Sequence, residues 1–222
     1  MVPVRTYADP DAAPLWTLVV PLKPLAHAKS RLADAVREGA RPLLALAFAQ
    51  DTVAAALACA EVRDVVVVTD DAEAGRALAG LGAAVVADLP AAGLNAALAH
   101  GAREARARRP WAPVAALNAD LPALRPTELG RVLTAASAFP RAFLRDAAEI
   151  GTTFLSARAG IELRPAFGGP SRARHTASGA AELFLDDVDS VRQDVDTGAD
   201  LRAALALGTG PRTSELAGAA LR

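Results

Sequence analysis

"DVVVVTDDAEAGRALAGLGAAVVAD", residues 64–88, places two apolar runs on either side of a helical pattern. The first run, Val65–Val68, is continuously β-branched, as a strand covered on both faces should be. "AEAGRALAGLG" then reads as a helix closed by Gly82, and "AAVVAD" (83–88) as the next strand. Strand, helix and strand in so short a span predict a βαβ unit, whose strands run parallel.

The alternation continues outward in both directions. "WTLVVP" (16–21) reads as a strand, and "RPLLALAFAQDTVAAALACA" (41–60) as a helix with Pro42 near its first turn, where a missing N–H costs little. "LNAALAHGAREARARR" (94–109) is a predicted helix, "APVAALNAD" (112–120) a strand, and a further helix starts at Pro126 or Thr127. Beyond residue 139 the pieces shorten: "RAFLRD", "GTTFLSA" and "SVRQDVD" are expected strands around the Gly-rich "FGGPSRARH". The predicted class is therefore α/β, a Rossmann-like, mostly parallel central sheet with helices on both faces. Residues 1–14, polar and Pro-rich, are expected to form a loose arm, and 15–222 a single domain.

Composition narrows the function. A chain of 222 residues with net charge −1 lacks the basic excess of an open nucleic-acid surface, so no nucleic-acid partner is expected. No stretch resembles a membrane span or a secretory signal, so the expectation is a cytoplasmic protein without a membrane partner. Cys59, the single cysteine, sits in apolar "AAALACA" and reads as an inert core thiol.

Ligands of open α/β sheets bind beyond the carboxyl ends of the strands. At the first of these, "VPLKPLAHAKSRL" (20–32) gathers Lys23, Lys29 and Arg31. Neither common glycine-rich phosphate loop is present, so these cations could hold a polyphosphate by charge, or simply form a solvated basic loop. In "LNADLPAL", Asp120 follows the fourth strand and could hold Mg²⁺, or open a turn. In "RQDVDTGAD", Asp194 and Asp196 would share one face of a strand, and with Asp120 make a three-carboxylate shell. Thr197 and Asp200 there also form a capping-box pattern for the last helix, which makes nearby acids ordinary. "FGGPSRARH" offers close backbone approach at Gly168 and Gly169, a helix start at Ser171, and Arg172, Arg174 and His175 as an anion site, or a plain surface loop. His27, His100 and His175 lie beside no convincing nucleophile. A phosphate dianion, with a second pKa near ~6, would need no base to act as one.

These motifs, with "VVVVTDD", "DLPAAGLNAAL", "GTTFLSA" and "DVDT", stand in the order found in the guanylyltransferases of coenzyme F-420 biosynthesis, which the chain resembles over residues 15–206. The resemblance implies a Rossmann-like nucleotidyltransferase sandwich that joins GMP from GTP to phosphoenolpyruvate or 2-phospho-L-lactate and releases pyrophosphate. It implies that Asp120, Asp194 and Asp196 bind Mg²⁺, and that Thr153, Gly168 and Ser171 hold the phosphorylated acid. It further implies that Lys23, Lys29 and Arg31 act on the triphosphate, and that Lys23, Asp88, Gly93 and Asn95 meet the nucleotide. A homodimer is left open as one assembly, since the sequence does not read out the oligomeric state. The Ala- and Arg-rich composition fits a high-GC bacterium, and bacterial members of that family are associated with phosphoenolpyruvate. Two other readings stay open: a nucleotidyltransferase with a different phosphorylated acceptor, and a catalytically silent nucleotide-binding partner.

Overall fold

The computed structural model of the chain describes residues 15–32, 34–89 and 91–220; the arm expected over 1–14 lies outside the described residues. The first half runs β1 (Trp16–Pro21), two short 3-10 turns (Leu25–His27 and Ser30–Leu32), α1 (Ala40–Leu57), β2 (Val62–Val68), α2 (Ala72–Ala79), β3 (Ala84–Val86), α3 (Leu94–Arg108), β4 (Val114–Leu117) and α4 (Pro126–Ala136). Then come β5 (Arg141–Arg145), β6 (Thr152–Ala157), α5 (Ser171–Ala177), β7 (Ala181–Glu182), α6 (Asp189–Arg192), α7 (Gly198–Leu207) and α8 (Pro211–Ala220).

The strands form one seven-stranded sheet in the order β3-β2-β1-β4-β6-β5-β7. β1 to β4 are parallel, and β7 runs parallel to β5. β6 alone is reversed, antiparallel to both β4 and β5. The reversal matters for function: the start of β6 lies at the same edge of the sheet as the ends of β4 and β5.

Alternation along β1 sends Leu18 and Val20 to one face and Val19 to the other. The first face packs against Val53, Leu78 and Leu133 of α1, α2 and α4; the second packs against Ala97, Leu98 and Ala102 of α3. Both faces are covered, which is why β2 tolerates an unbroken valine run. Gly101 sets the approach of α3. A Cβ there would meet Val19 Cγ1 at 2.5 Å and Val68 Cγ2 at 2.6 Å, so only glycine lets the helix lie this close.

The C-terminal third departs from expectation. "SVRQDVD" is not a strand: Asp189–Arg192 forms the single turn α6 and residues 193–197 are irregular. Two hydrogen bonds tie this turn to the start of α4. The Arg125 backbone N–H donates to Ser190 Oγ (3.0 Å) and the Ser190 N–H donates to Glu128 Oε2 (2.9 Å), so these groups are engaged by the helix and not by a strand ladder. The two-residue β7 was not anticipated, nor was α8, which docks on α1 through Asp51. That buried carboxylate accepts the N–H groups of Arg212 (3.3 Å) and Thr213 (2.8 Å) at the start of α8. Thr197 does form the expected capping box with Asp200, but on α7, the last helix but one. Among the described residues no helix is long and apolar enough to cross a membrane.

Candidate active site

A cavity of about 500 Å³ opens at the strand-end edge of the sheet, a size that admits a small substrate and part of a nucleotide. The loop after β1 forms one wall with Lys23, His27, Lys29 and Arg31. Asn118 and Asp120 follow β4, and Asp146 follows β5. Gly151 and Thr152 open β6, while Gly168, Gly169 and Ser171 belong to the loop before α5. Asp194 and Asp196 close the floor.

The first wall is held by its apolar side chains. Leu25 and Leu32 are buried, and the Leu25 N–H donates to Asp71 Oδ2 at 2.9 Å. The N–H of Ala74 and then that bond keep the Asp71 carboxyl below its usual range. Between the two 3-10 turns Lys29 adopts φ +55°, a left-handed conformation that costs a non-glycine residue about 1–2 kcal/mol. The turn carries its ammonium between two carboxylates: Nζ pairs with Asp120 Oδ2 and lies 2.9 Å from Asp196 Oδ1.

The acidic side is built with equal economy. Thr52 of α1 accepts the Leu121 N–H at 3.0 Å, which fixes the turn after Asp120. The Asp120 carbonyl accepts the Val195 N–H at 3.0 Å, so the segment bearing Asp194 and Asp196 is tied to the end of β4. Burial works to lower the Lys29 pKa, yet Asp120 and Asp196 outweigh it and hold the ammonium charged. Burial would raise Asp196, but Lys29, then Arg31 and Lys23, more than reverse this. Asp194 is pushed well above the carboxylate range by burial and then by Asp120, Asp196 and Asp146, against which Lys29 is a weaker opposing charge.

The expected three-carboxylate shell is not assembled as such. Among the described residues no three His, Cys, Asp or Glu side chains converge closely enough to hold a metal by themselves. Lys29 occupies the space between two of them, because opposite charges attract where carboxylates repel. The residues nevertheless suit a hard divalent cation. Asp120 Oδ1 is buried without a hydrogen-bond partner, and carboxylate oxygens are the ligands that such an ion prefers.

At the opposite end two hydroxyls form the wall beside Asp146. Ser171 and Thr152 are buried, with their hydroxyl oxygens 2.8 Å apart. Thr153, the position matched by resemblance, does not line the cavity; its hydroxyl is buried and unpartnered, and Thr152 takes the wall instead. The reason is local: the β5–β6 register shifts at Leu144/Arg145, where β6 begins.

The anion cluster expected in "FGGPSRARH" is likewise dispersed. The first N–H groups of α5 are engaged, Ser171 N with Gly169 O (2.8 Å) and Arg172 N with Ile150 O (3.2 Å). Arg172 pairs with Glu182 (3.0 Å), and Arg174 donates to the carbonyls of Ala166 (3.0 Å) and Phe167 (3.3 Å). His175 is fully buried, with both ring nitrogens hydrogen-bonded. These side chains build the loop and do not face a ligand.

Of the nucleotide positions, Lys23 lines the cavity, whereas Asp88, Gly93 and Asn95 stand outside its wall and Leu94 represents the start of α3. The Asn95 amide is fully engaged with Phe167, accepting its N–H at 2.7 Å and donating to its carbonyl at 3.1 Å. His27 reaches the cavity, and His100 is buried within α3. Asp146 and Thr152 are the site residues that the motifs did not reveal. Asp146 is the last residue of the expected strand "RAFLRD", so a search of every strand end would have found it.

Residues 30–185 match the family model of the MobA-like NTP transferase domain. A protein named phosphoenolpyruvate guanylyltransferase from Streptomyces coelicolor is 74% identical over 202 residues, covering 91% of this chain and 95% of its own. The protein of that name from Thermomonospora curvata is 60% identical over 207 residues, covering 93% and 90%. Among solved structures, a nucleotidyl transferase from Methanothermobacter superposes with a TM-score of 0.61 at 20% identity, covering 87% of this chain and 97% of that one.

Proposed function

The chain belongs to the MobA-like NTP transferase family, and from that premise we propose that it is a phosphoenolpyruvate guanylyltransferase. Relatives that share 60–74% of its residues over about nine-tenths of its length carry that name. The observation that carries the reading is the cavity itself, which brings cations of the loop after β1, carboxylates and buried hydroxyls together at the strand-end edge of the sheet.

A phosphate oxygen of phosphoenolpyruvate attacks the α-phosphorus of GTP. The new P–O bond forms as the α–β bridging P–O bond breaks, and the electron pair leaves with pyrophosphate. The nucleophile is already a dianion near neutral pH, so no side chain is required as a base. Lys23, Lys29 and Arg31 stabilise charge on the triphosphate and on the leaving pyrophosphate. Ser171 and the Gly168 backbone receive the acid beside Thr152. Thr153 serves from behind, its carbonyl accepting the Asn118 N–H at 3.0 Å. Asp88 and Gly93 flank the nucleoside, and Asn95 keeps the Phe167 loop in place for both substrates.

Asp120, Asp194 and Asp196 would hold a divalent cation, Mg²⁺ in this reading, which supplies Lewis-acid neutralisation of phosphate charge. Residues 15–222 act as one nucleotidyltransferase domain. The product, a guanylylated acid with a diphosphate bridge, is a donor suited to the next step of coenzyme F-420 assembly. Phosphorus NMR of a reaction with GTP and phosphoenolpyruvate tests the proposal. Two coupled diphosphate resonances of an asymmetric P–O–P bridge are expected; formation of free phosphate and GDP alone would overturn it.

A further inference from the structure

We infer that Thr152 and His175 are positioning residues that turn the Ser171 hydroxyl outward as a fixed hydrogen-bond donor to an anionic oxygen of the phosphorylated acid. The inference rests on the proposed function for the identity of that acid, and on geometry alone for the direction of the bonds.

The direction is set at its inner end. The Ala166 backbone N–H lies 3.0 Å from His175 Nε2, and an amide N–H can only donate. Nε2 must therefore carry its lone pair, which leaves the proton of the neutral ring on Nδ1. Nδ1 is 3.2 Å from Thr152 Oγ1, so the ring donates and the threonine accepts. Thr152 Oγ1 is in turn 2.8 Å from Ser171 Oγ, and its one proton points there. Ser171 Oγ thus accepts a hydrogen bond from inside, and its own proton is free to point into the cavity it lines.

The surroundings hold this order. Thr152, Ser171 and His175 are 4%, 1% and 0% exposed, so water does not compete within the relay. Phe167 meets the imidazole edge-on at 5.1 Å and Phe143 flanks it at 5.7 Å, so the ring is packed between two aromatic side chains. Burial first, then the nearby Arg141 and Arg174, keep the ring neutral, with its pKa lowered to about 4. A hydroxyl with an inward acceptor role and an outward proton selects an anionic oxygen over a ligand donor.

Steady-state kinetics with GTP, phosphoenolpyruvate and Mg²⁺ test this in wild type, Thr152→Val, Thr152→Ser, Ser171→Ala and the Thr152→Val/Ser171→Ala double variant. Thr152→Val should raise KM for phosphoenolpyruvate roughly tenfold, the value of one lost orienting bond, with little change in KM for GTP. Thr152→Ser should restore it. The double variant should be no worse than Ser171→Ala, because Thr152 acts only through Ser171. Additive losses, or equal effects on both substrates, would overturn the inference. Nitrogen NMR of the His175 ring in wild type is the second measurement, and it holds even if a variant fails to fold. A proton on Nδ1 is expected, and a proton on Nε2 would end the account. A wild type inactive with phosphoenolpyruvate would sink the functional reading while leaving the tautomer to judge the relay.

Discussion

Lys29 Nζ lies 2.9 Å from Asp196 Oδ1 and also pairs with Asp120, so one ammonium joins two carboxylates of the cavity, one just after β4 and one just before α7. The pairing links residues that stand 91 and 167 positions from Lys29 in the chain. It answers why a chain of nearly neutral charge gathers cations after its first strand. The loop after β1 and the acids at the strand ends balance one another, and both face the space where phosphates would sit.

Removing that ammonium should disable turnover without dissolving the fold. Lys29→Met leaves Asp120 and Asp196 facing each other without the charge between them, and removes a donor to the triphosphate. A fall in kcat of about 10²–10³-fold is expected, the usual effect of losing one electrostatic stabiliser. Circular dichroism should stay close to wild type. Activity within twofold of wild type would show that Lys29 is a structural counter-ion only.

The acids should behave as metal ligands under substitution. Asp120→Asn and Asp194→Asn are expected to abolish pyrophosphate release while unfolding near the wild-type temperature. Titration of activity with Mg²⁺ checks this: a variant with full rate and an unchanged Mg²⁺ requirement would remove that residue from the metal site.

Packing makes a separate prediction at Gly101. The Cβ of Gly101→Ala would enter the space of Val19 and Val68, so α3 must lift from the sheet. A loss of about 1–3 kcal/mol is expected, typical of overpacking in a filled core. Urea unfolding measures it, and an unchanged midpoint would mean that α3 sits more loosely than this geometry.

Stability should also fall in mild acid because of His175. Its ring is depressed to about 4 from an ordinary 6.5, chiefly by burial. Above pH 6.5 the ring is neutral in folded and unfolded chains alike and contributes no pH dependence. Between 6.5 and 4 the unfolded chain takes up the proton and the folded one does not, so stability drops as pH falls, by about 3 kcal/mol in total. Urea midpoints of wild type and His175→Phe at pH 7 and pH 4 measure the difference. A variant that loses as much stability on acidification as wild type would contradict this assignment.

Much of the fold was legible in the chain because its signals are local. The valines of β2 and the Pro126 start of α4 each act within a few residues. The site was legible at the exits of β1 and β4, where Lys23, Lys29, Arg31 and Asp120 follow apolar runs directly. It was not legible at β6, since nothing in "GTTFLSA" tells that this strand runs backwards and brings its beginning to the ligand edge. Arg172, Arg174 and Asn95 misled for a related reason. Their charges and amides are visible in sequence, but the carbonyls of Ala166 and Phe167 that engage Arg174 and Asn95, and the Glu182 that pairs with Arg172, come near only after folding.

The most direct measurement is pyrophosphate release from GTP and Mg²⁺, with phosphoenolpyruvate and 2-phospho-L-lactate offered in separate reactions. The account predicts release with phosphoenolpyruvate, and its loss in Asp194→Asn. No release with either acid from a folded, GTP-binding wild type would contradict it.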